Sequence, residues 1–379
     1  MRWKESLQKP FDLYEISRLR PYLMGIATLW ITFYHSKYLN LFNSTFLTKT
    51  RLLGLVTRIE SIGNCGVDLF FFLSGLGLYF SYTRLLENEH HPLRSFYLRR
   101  YGRILPPILI VSILTFGLIE VADLANWAGG VFLYGYYLPH LTRGNFWYLS
   151  ATLLFYLVFP LIHRLLRGKH AKLNTFLLIL LAIIAVFVVS TVAEEYFYTH
   201  AILIMTRVPV FIMGIYVGKA CFEHHNIPIW VPVSAVPLSF LLLVVISDYP
   251  LPDFYRFFEY TLFVPCIVLA HAYIFSKWKK RGFLGKCIMT IGTYSMEIYL
   301  IYESIYNHAE DVFNNSLDNT GIVYALTVFT ATLTLAVLLG FVADQLTKVF
   351  RSQDAAPAES GNPCPKAKNP SLAEAESKR

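Results

Sequence analysis

Long apolar segments, separated by short polar or basic stretches, recur along the whole chain. Each has about 18 or more residues with few charges, enough for an α-helix to cross a hydrocarbon layer of roughly 30 Å. The ten-residue alternation of a membrane β-strand is not seen in these segments. The pattern predicts an all-α, polytopic integral membrane bundle of about ten transmembrane helices. They lie at residues 20–38, 63–83, 104–122, 146–166, 174–193, 203–222, 228–247, 254–276, 287–306 and 322–346.

A weaker apolar segment, residues 125–141, is short and broken by glycines, and we predict a re-entrant or interfacial element there. Positive charge tests this choice, because Lys and Arg concentrate in cytoplasmic loops. With ten spans and a cytoplasmic N-terminus, most of the 33 Lys and Arg residues fall on the cytoplasmic side, including those of residues 84–103 and 277–286. A further span at 125–141 would place the basic loop 277–286 outside. We therefore predict a multi-pass protein of the plasma membrane with both termini in the cytoplasm.

Composition agrees with this arrangement: 55% of the residues are hydrophobic and only 15% are charged. Residues 1–19 form a basic cytoplasmic segment, and no small-residue cleavage site follows the first apolar run, so that run is predicted to be a signal anchor. Residues 20–346 are the predicted membrane domain. Residues 347–379, rich in Ala, Pro, Ser and charge, are predicted to be a disordered cytoplasmic tail.

The net charge of +8 is placed mostly in the cytoplasmic loops, which argues against a nucleic-acid partner. The five cysteines form no CxxC or Cys/His cluster, and the two His–His pairs have no suitably spaced acid, so no metal site is expected. No internal repeat is evident, which counts against the inverted-repeat folds of many transporters.

Three ionisable side chains interrupt the apolar segments at a similar depth. His35, Asp68 and Arg207 lie within one or two turns of the predicted outer ends of their helices. Because hydrocarbon makes such groups costly, they indicate an enclosed polar site. An aspartate beside His35 would fix the imidazole tautomer and raise its basicity, as a general base requires. The alternative is a structural network in which Asp68 and Arg207 neutralise each other.

A second polar group stands on the cytoplasmic side, in the sequence SFYLRRYGRILPP. Arg99 or Arg100, together with Arg103, would project from one helical face, because three or four residues separate them. Such a face can hold a pyrophosphate or a ribose phosphate by bidentate contacts. The ordinary positive flank of a membrane span explains the same cluster by topology alone.

Aromatic residues, Trp147 among them, are frequent on the predicted outer side. They suit stacking on sugar rings, and they equally suit an interfacial aromatic belt. Glu297 and Tyr302 bring a carboxylate and a hydroxyl into the span 287–306, where hydrogen bonding between helices is the alternative to a functional role.

Six segments resemble, in order, the membrane-bound acyltransferase family 3: LMGIATLWITFYH, GVDLFFFLSGLGLYF, FYLRRYGRILPP, FWYLSATLLFYLVFPL, RVPVFIMGIYVG and IGTYSMEIYLIYES. The resemblance covers residues 18–346. It implies a ten-helix membrane enzyme that moves an acyl group, commonly acetyl, from cytoplasmic acyl-CoA to a glycan or another hydroxyl acceptor. It further implies that His35 is the catalytic histidine, that the arginines of RRYGR contact CoA phosphates, and that GVDLFFFLSG lines the acyl channel.

The chain departs from that family at three places. The family often has an arginine eleven residues before the histidine, and this position is Met24 here. Arg20, four residues earlier on roughly the same helical face, is the nearest substitute. Glutamates that often follow the WxLS motif are replaced by the Ala-Thr-Leu of residues 151–153, and a histidine often found after EIYL is replaced by Tyr302.

The resulting hypothesis is O-acyl transfer with acyl-CoA as a cosubstrate and no tightly bound cofactor. His35, Asp68 and Arg20 would be catalytic. The donor would contact Arg99, Arg100, Arg103 and Ser74, with its pantetheine arm threading past Ser74 and Gly75, and the acceptor would contact Arg207, Trp147, Glu297 and Tyr302.

The expected partners are the lipid bilayer, acyl-CoA and a glycan or lipid-linked saccharide, with components of a polysaccharide export system as candidate neighbours. One alternative is a transporter or flippase for a glycan or a lipid-linked precursor, which would use the same polar groups without chemistry. Another is a catalytically inactive membrane sensor.

Overall fold

The computed structural model describes residues 10–35, 51–116, 129, 134–137, 147–249, 253–278, 282–302 and 321–354. Nearly all of these residues are helical. The helices of the first half are α1 (Tyr14–Arg18), α2 (Arg20–His35), α3 (Arg51–Ser61), α4 (Cys65–Asn88), α5 (Pro92–Phe116), α6 (Trp147–Arg167) and α7 (Ala171–Val192). A 3-10 turn at Gly135–Tyr137 lies between α5 and α6.

The second half begins with a near-continuous helical stretch. It consists of α8 (Glu194–Tyr196), a π-helical turn (Phe197–Ala201), α9 (Ile202–Met205) and α10 (Val208–Phe222). It is followed by α11 (Trp230–Asp248), α12 (Asp253–Lys277), α13 (Gly282–Thr293), α14 (residues 295–302) and α15 (Gly321–Asp354). Two short strands, β1 (Phe11–Asp12) and β2 (Asn226–Ile227), pair antiparallel.

Seven helical stretches of the described residues are long and apolar enough to cross a membrane. They are Cys65–Asn88, Trp147–Arg167, Ala171–Val192, Glu194–Phe222, Trp230–Asp248, Phe258–Lys277 and Val328–Lys348. The predicted all-α, polytopic membrane architecture agrees with these spans. The number of ten stays a prediction, because α2, α5 and the interrupted pair α13–α14 are outside this set of seven.

Contacts between distant loops support the predicted order of crossings. β1 pairs with β2, so the chain before the predicted span 20–38 and the chain after 203–222 lie on one side of the bundle. That requires an even number of spans between them, and the prediction has six. A further span at 125–141 would make the number odd. Most of residues 125–141 lie outside the described residues, so their predicted re-entrant conformation stays untested.

Two helices extend beyond their predicted limits. α5 already begins at Pro92, so the arginine cluster and the predicted span 104–122 belong to one helix. Pro106 lacks an N–H and leaves the Gly102 carbonyl without a helical donor, and the Thr347 hydroxyl donates to that carbonyl at 3.1 Å. α15 runs to Asp354, so residues 347–354 are helical rather than part of a disordered tail.

Close helix packing places α2 between α4 and α13, and α10 directly against α4. A Cβ atom on Gly292 of α13 would lie 1.9 Å from the Pro21 carbonyl oxygen of α2. One on Gly214 of α10 would lie 2.1 Å from the Phe72 carbonyl oxygen of α4. Only glycine permits such backbone contact, which is a usual way for membrane helices to pack. α7, in contrast, is almost entirely exposed and presents large apolar side chains to the surrounding lipid.

Candidate active site

A cavity of about 300 Å³ follows one face of α2 from its first residue to its last. The residues that α2 contributes recur every three or four positions: Arg20, Pro21, Met24, Thr28, Ile31, Thr32 and His35. Because an α-helix rises 1.5 Å per residue, Arg20 and His35 are about 22 Å apart along the axis. α4, α5, α6, α13 and α14 supply the other walls.

Arg20, Arg100 and Arg103 all line the cavity at the end where α2 begins, which we call the basic end. The Nε of Arg20 donates to the Leu73 carbonyl of α4 at 3.0 Å. A guanidinium nitrogen of Arg100 donates to the Ser81 hydroxyl. Both α5 arginines are near enough to Arg20 to repel it. Positive groups converging on a largely buried space favour an anionic ligand.

Arg20 lies at the end of the cavity opposite to His35, the other residue of α2 that was predicted to be catalytic. Its guanidinium shares the basic end with Arg100, and the helical rise separates the Arg20 backbone from that of His35 by about 22 Å along α2. The catalytic role predicted for Arg20 stays a prediction. The four-residue shift from Met24 to Arg20 keeps the helical face, as expected, but moves the charge one turn further from the histidine.

Arg99 differs from its two neighbours. It does not line the cavity, and its side chain, 56% exposed, forms a 2.6 Å ion pair with Glu89. The sequence spacing left open whether Arg99 or Arg100 shares a face with Arg103, and the structure selects Arg100.

The middle of the cavity is lined by hydroxyl groups. Ser74 lies there, within hydrogen-bonding reach of Tyr148, and its predicted contact with the donor stays a prediction. Gly75, predicted to leave room for the pantetheine arm, instead faces α10, since a Cβ on it would lie 2.5 Å from the Phe211 carbonyl oxygen. The room beside Ser74 therefore lies along α2 and α6 rather than between α4 and α10.

His35 marks the other end, which we call the histidine end. Its ring centroid lies 5.1 Å from that of Tyr34 and 6.3 Å from that of Tyr302. Tyr302 is 4% exposed and also lines the cavity. The structure thus brings together the predicted catalytic histidine and one predicted acceptor residue.

The predicted contact between His35 and Asp68 is not present: no hydrogen bond or ion pair joins these two described residues. The nearest charge to Asp68 is Arg207, whose Nε is 3.5 Å from a carboxylate oxygen, and the two residues are 0% and 1% exposed. The Arg207 guanidinium also lies 5.1 Å from the centre of the Trp147 ring. None of these three residues lines the cavity. This arrangement is the one expected from the structural alternative, in which the two charges neutralise each other, and the predicted catalytic role of Asp68 stays a prediction.

Local structure explains why this buried cluster (Asp68, Arg207 and Trp147) forms. Asp68 lies in the first turn of α4, where the helix dipole favours a negative charge. Arg207 is the N-cap of α10, in the break after α9, where a positive charge is disfavoured unless an acid is near. Its Nη1 also donates to the Leu203 carbonyl at 2.9 Å. Asp68 supplies the charge that Arg207 needs.

Glu297 does not line the cavity, in contrast to Tyr302 of the same helix. It is 6% exposed, does not line the cavity, and packs against α15 at Gly340, where its Cγ lies 3.7 Å from the place that a Cβ would take. Its carboxylate attracts Arg103 electrostatically. This position makes Glu297 a counter-charge for the basic end, and its predicted contact with an acceptor is untested.

Sequence reasoning missed three residues of α6 that line the cavity: Tyr148, Thr152 and Tyr156. Their four-residue spacing places three hydroxyl groups on one face of a membrane helix, which indicates that this face turns away from lipid. Tyr156 also hydrogen-bonds to Arg100 at the basic end. The spacing was visible in the sequence, whereas their convergence with α2 needed the fold.

Comparison with protein families gives one match. A family model described as an acyltransferase domain matches residues 22–341. The match spans α2 to most of α15 and so includes every cavity-lining residue except Arg20 and Pro21. No curated protein and no solved structure gives a significant match.

Proposed function

The chain belongs to the membrane-bound acyltransferase family 3, and from this premise we propose that it is an acyl-CoA-dependent O-acyltransferase. It moves an acyl group, acetyl in the simplest case, from cytoplasmic acyl-CoA to a hydroxyl of a surface or exported glycan or of a lipid-linked saccharide. The observation that carries the proposal is that one cavity has arginines at one end and His35 at the other.

The basic end suits the nucleotide part of acyl-CoA. Arg100 and Arg103 project from α5, and Arg20 projects from α2, so a phosphate between them is contacted from two walls. Planar guanidinium groups bind phosphate oxygens bidentately and keep their charge at any physiological pH. In the orientation predicted from the positive-inside rule, this end would face the cytoplasm, where acyl-CoA is available.

The length of the cavity suits the pantetheine arm. A thin, flexible chain anchored at the arginines would run along α2 past Ser74 and Thr152 towards His35. Hydroxyl side chains both donate and accept hydrogen bonds, so they match the amide groups of the arm. The thioester would then lie at the histidine end, close to the predicted outer face.

His35 would act there as a general base. The imidazole takes the proton of the acceptor hydroxyl while the oxygen attacks the thioester carbonyl carbon. The C–S bond breaks, and the protonated imidazole returns the proton to the CoA thiolate as it leaves. In an alternative order, the imidazole first takes the acyl group from CoA and then passes it to the acceptor. Both routes yield free CoA and an ester.

Purified protein in proteoliposomes tests the proposal. Acyl-CoA with a labelled acyl group is added on the side of the arginines, with a panel of saccharide acceptors, and free CoA and labelled ester are measured. We expect CoA release that depends on an acceptor. Movement of a labelled lipid-linked saccharide across the bilayer with no consumption of acyl-CoA would favour the transporter alternative instead.

The acceptor class needs a separate measurement. Mass spectrometry of surface glycans from cells with and without the gene should show acyl groups that disappear with the gene. Re-expression of the wild-type chain should restore them. An unchanged glycan profile would redirect the search to lipid-linked saccharides.

A further inference from the structure

We infer that Gly77 is a positioning residue: the missing side chain at this position lets Arg20 lie in the basic end of the cavity. The inference rests on the proposed function, because it concerns the arginines that would bind the phosphates of the donor. It assigns a role to a residue of α4 that does not itself face the reacting atoms.

The contact between Gly77 and Arg20 is very close. A Cβ atom on Gly77 would lie 2.6 Å from Cζ of Arg20 and 2.9 Å from its Nε and Nη1. Gly77 follows Leu73 by one turn of α4, and the Leu73 carbonyl accepts the 3.0 Å hydrogen bond from Arg20. The guanidinium therefore lies against the bare backbone of the turn that ends at Gly77.

Arg20 needs such a constraint because its charged neighbours oppose its position. Arg100 and Arg103 repel it. A long arginine side chain also gains rotamer freedom when it is released. The hydrogen bond to Leu73 is available only while the guanidinium can approach the α4 backbone closely. A methyl group at position 77 would fill that space and push the charge out of place.

Gly77 differs in this respect from the glycines that pack helices together. A Cβ on Gly214 would meet backbone atoms of α4, so a substitution there must separate two helices. The three atoms nearest to a Cβ on Gly77 all belong to the Arg20 side chain, which can move without moving a helix. Gly77→Ala is therefore expected to displace one charge and preserve the bundle.

The test compares acyl-CoA binding by purified wild-type protein, Gly77→Ala, Arg20→Gln and the double variant, with thermal unfolding as a check on the fold. Gly102→Ala is the matched control, because it is also a helical glycine on the arginine side and has nothing within 4 Å of its Cβ position. Loss of one charged contact predicts about a tenfold higher Kd for acyl-CoA in Gly77→Ala and in Arg20→Gln.

The double variant separates positioning from a general structural effect. If Gly77 acts through Arg20, adding Gly77→Ala to Arg20→Gln changes the Kd no further. Additive losses, or a Gly77→Ala variant that binds like Gly102→Ala, would overturn the inference. Wild-type protein that binds no acyl-CoA at all would instead overturn the proposed function.

A second pair of variants covers the case in which Gly77→Ala impairs folding. Arg20→Lys keeps the charge but removes the planar group that touches Gly77. We expect Gly77→Ala to lower the unfolding temperature or the acyl-CoA affinity much less when combined with Arg20→Lys. An equal loss in both backgrounds would show that position 77 serves helix packing and would overturn the inference.

Discussion

Two groups of charged side chains lie inside this bundle, and they differ in whether free space adjoins them. Arg20 and Arg100 line a cavity of about 300 Å³, and His35 lines its other end. Asp68 and Arg207 are sealed at 0% and 1% exposure with each other as partners, beside Trp147. In the sequence both groups look like costly charges in apolar helices. A charge beside free space is available to a ligand, whereas the charges of an enclosed pair are available only to each other.

The largest effect is expected at the histidine end. His35→Ala should lower the rate of acyl transfer by about 10²- to 10⁴-fold, because it removes the proposed base. The unfolding temperature should stay near that of the wild type, since the ring borders a cavity. The measurement is acceptor-dependent CoA release by purified protein.

His271→Ala is the matched control for this change. His271 also lies within a membrane helix, but its Nδ1 contacts the Ile267 carbonyl of its own helix at 2.8 Å, and it does not line the cavity. Its loss should leave the rate nearly unchanged. Wild-type turnover in His35→Ala would remove the histidine from the mechanism.

Substitutions in the buried cluster should lower the free energy of unfolding and leave the rate of acyl transfer nearly unchanged. Asp68→Leu leaves the Arg207 charge enclosed beside a leucine, which should cost about 3–5 kcal/mol of folding free energy. Combining Asp68→Leu with Arg207→Met should recover most of that loss, because no unpaired charge then remains. Thermal unfolding measures the first effect, and CoA release per folded molecule should remain close to the wild-type value in both variants.

This prediction also tests the catalytic role that the sequence suggested for Asp68. A fold of normal stability with no acyl transfer in Asp68→Leu would return the carboxylate to the mechanism. The double variant would then be as inactive as the single one.

At the basic end, the adjacent residues Arg99 and Arg100 are expected to differ in their effect on the KM for acyl-CoA. Arg100→Gln should raise the KM for acyl-CoA about tenfold, because one charged contact to a phosphate is lost. Arg99→Gln should change it less than about twofold, because the Arg99 side chain is exposed, pairs with Glu89 and does not line the cavity. Steady-state kinetics with varied acyl-CoA measure both. Equal effects would mean that the cluster acts only through its overall charge.

Much of the fold followed from the spacing of apolar segments, because lipid requires each span to be long and helical. It was harder to predict which charged residues of a helix face the cavity. Arg99 and Arg100 satisfy the same spacing rule with Arg103, and only the packing of α5 decides which of them faces the cavity. The extension of α15 to Asp354 was not predicted, because the polar residues in its last turns lack the apolar periodicity by which a helix is recognised in a sequence.

In the candidate site, the contacts between residues of different helices were likewise harder to predict than their depth in the membrane. Depth along the membrane normal correctly grouped Asp68 with Arg207, yet it wrongly paired Asp68 with His35, since residues at one depth can face different neighbours. Glu297 packs against α15 and does not line the cavity, although its segment alone left both positions open. A one-dimensional pattern gives depth and helical face, whereas the neighbour on that face depends on which helices pack together.

The smallest expected effect distinguishes the two ends of the cavity from each other. Tyr302→Phe removes the hydroxyl of a ring whose centroid is 6.3 Å from that of His35, and Tyr156→Phe removes a hydroxyl that hydrogen-bonds to Arg100. One hydrogen bond supports about a two- to tenfold change in affinity. Tyr302→Phe should therefore raise the KM for the acceptor and leave that for acyl-CoA unchanged, and Tyr156→Phe should do the reverse. Kinetics with each substrate varied in turn decide the matter. Changes in the same constant for both variants would contradict a cavity divided into a donor end and an acceptor end.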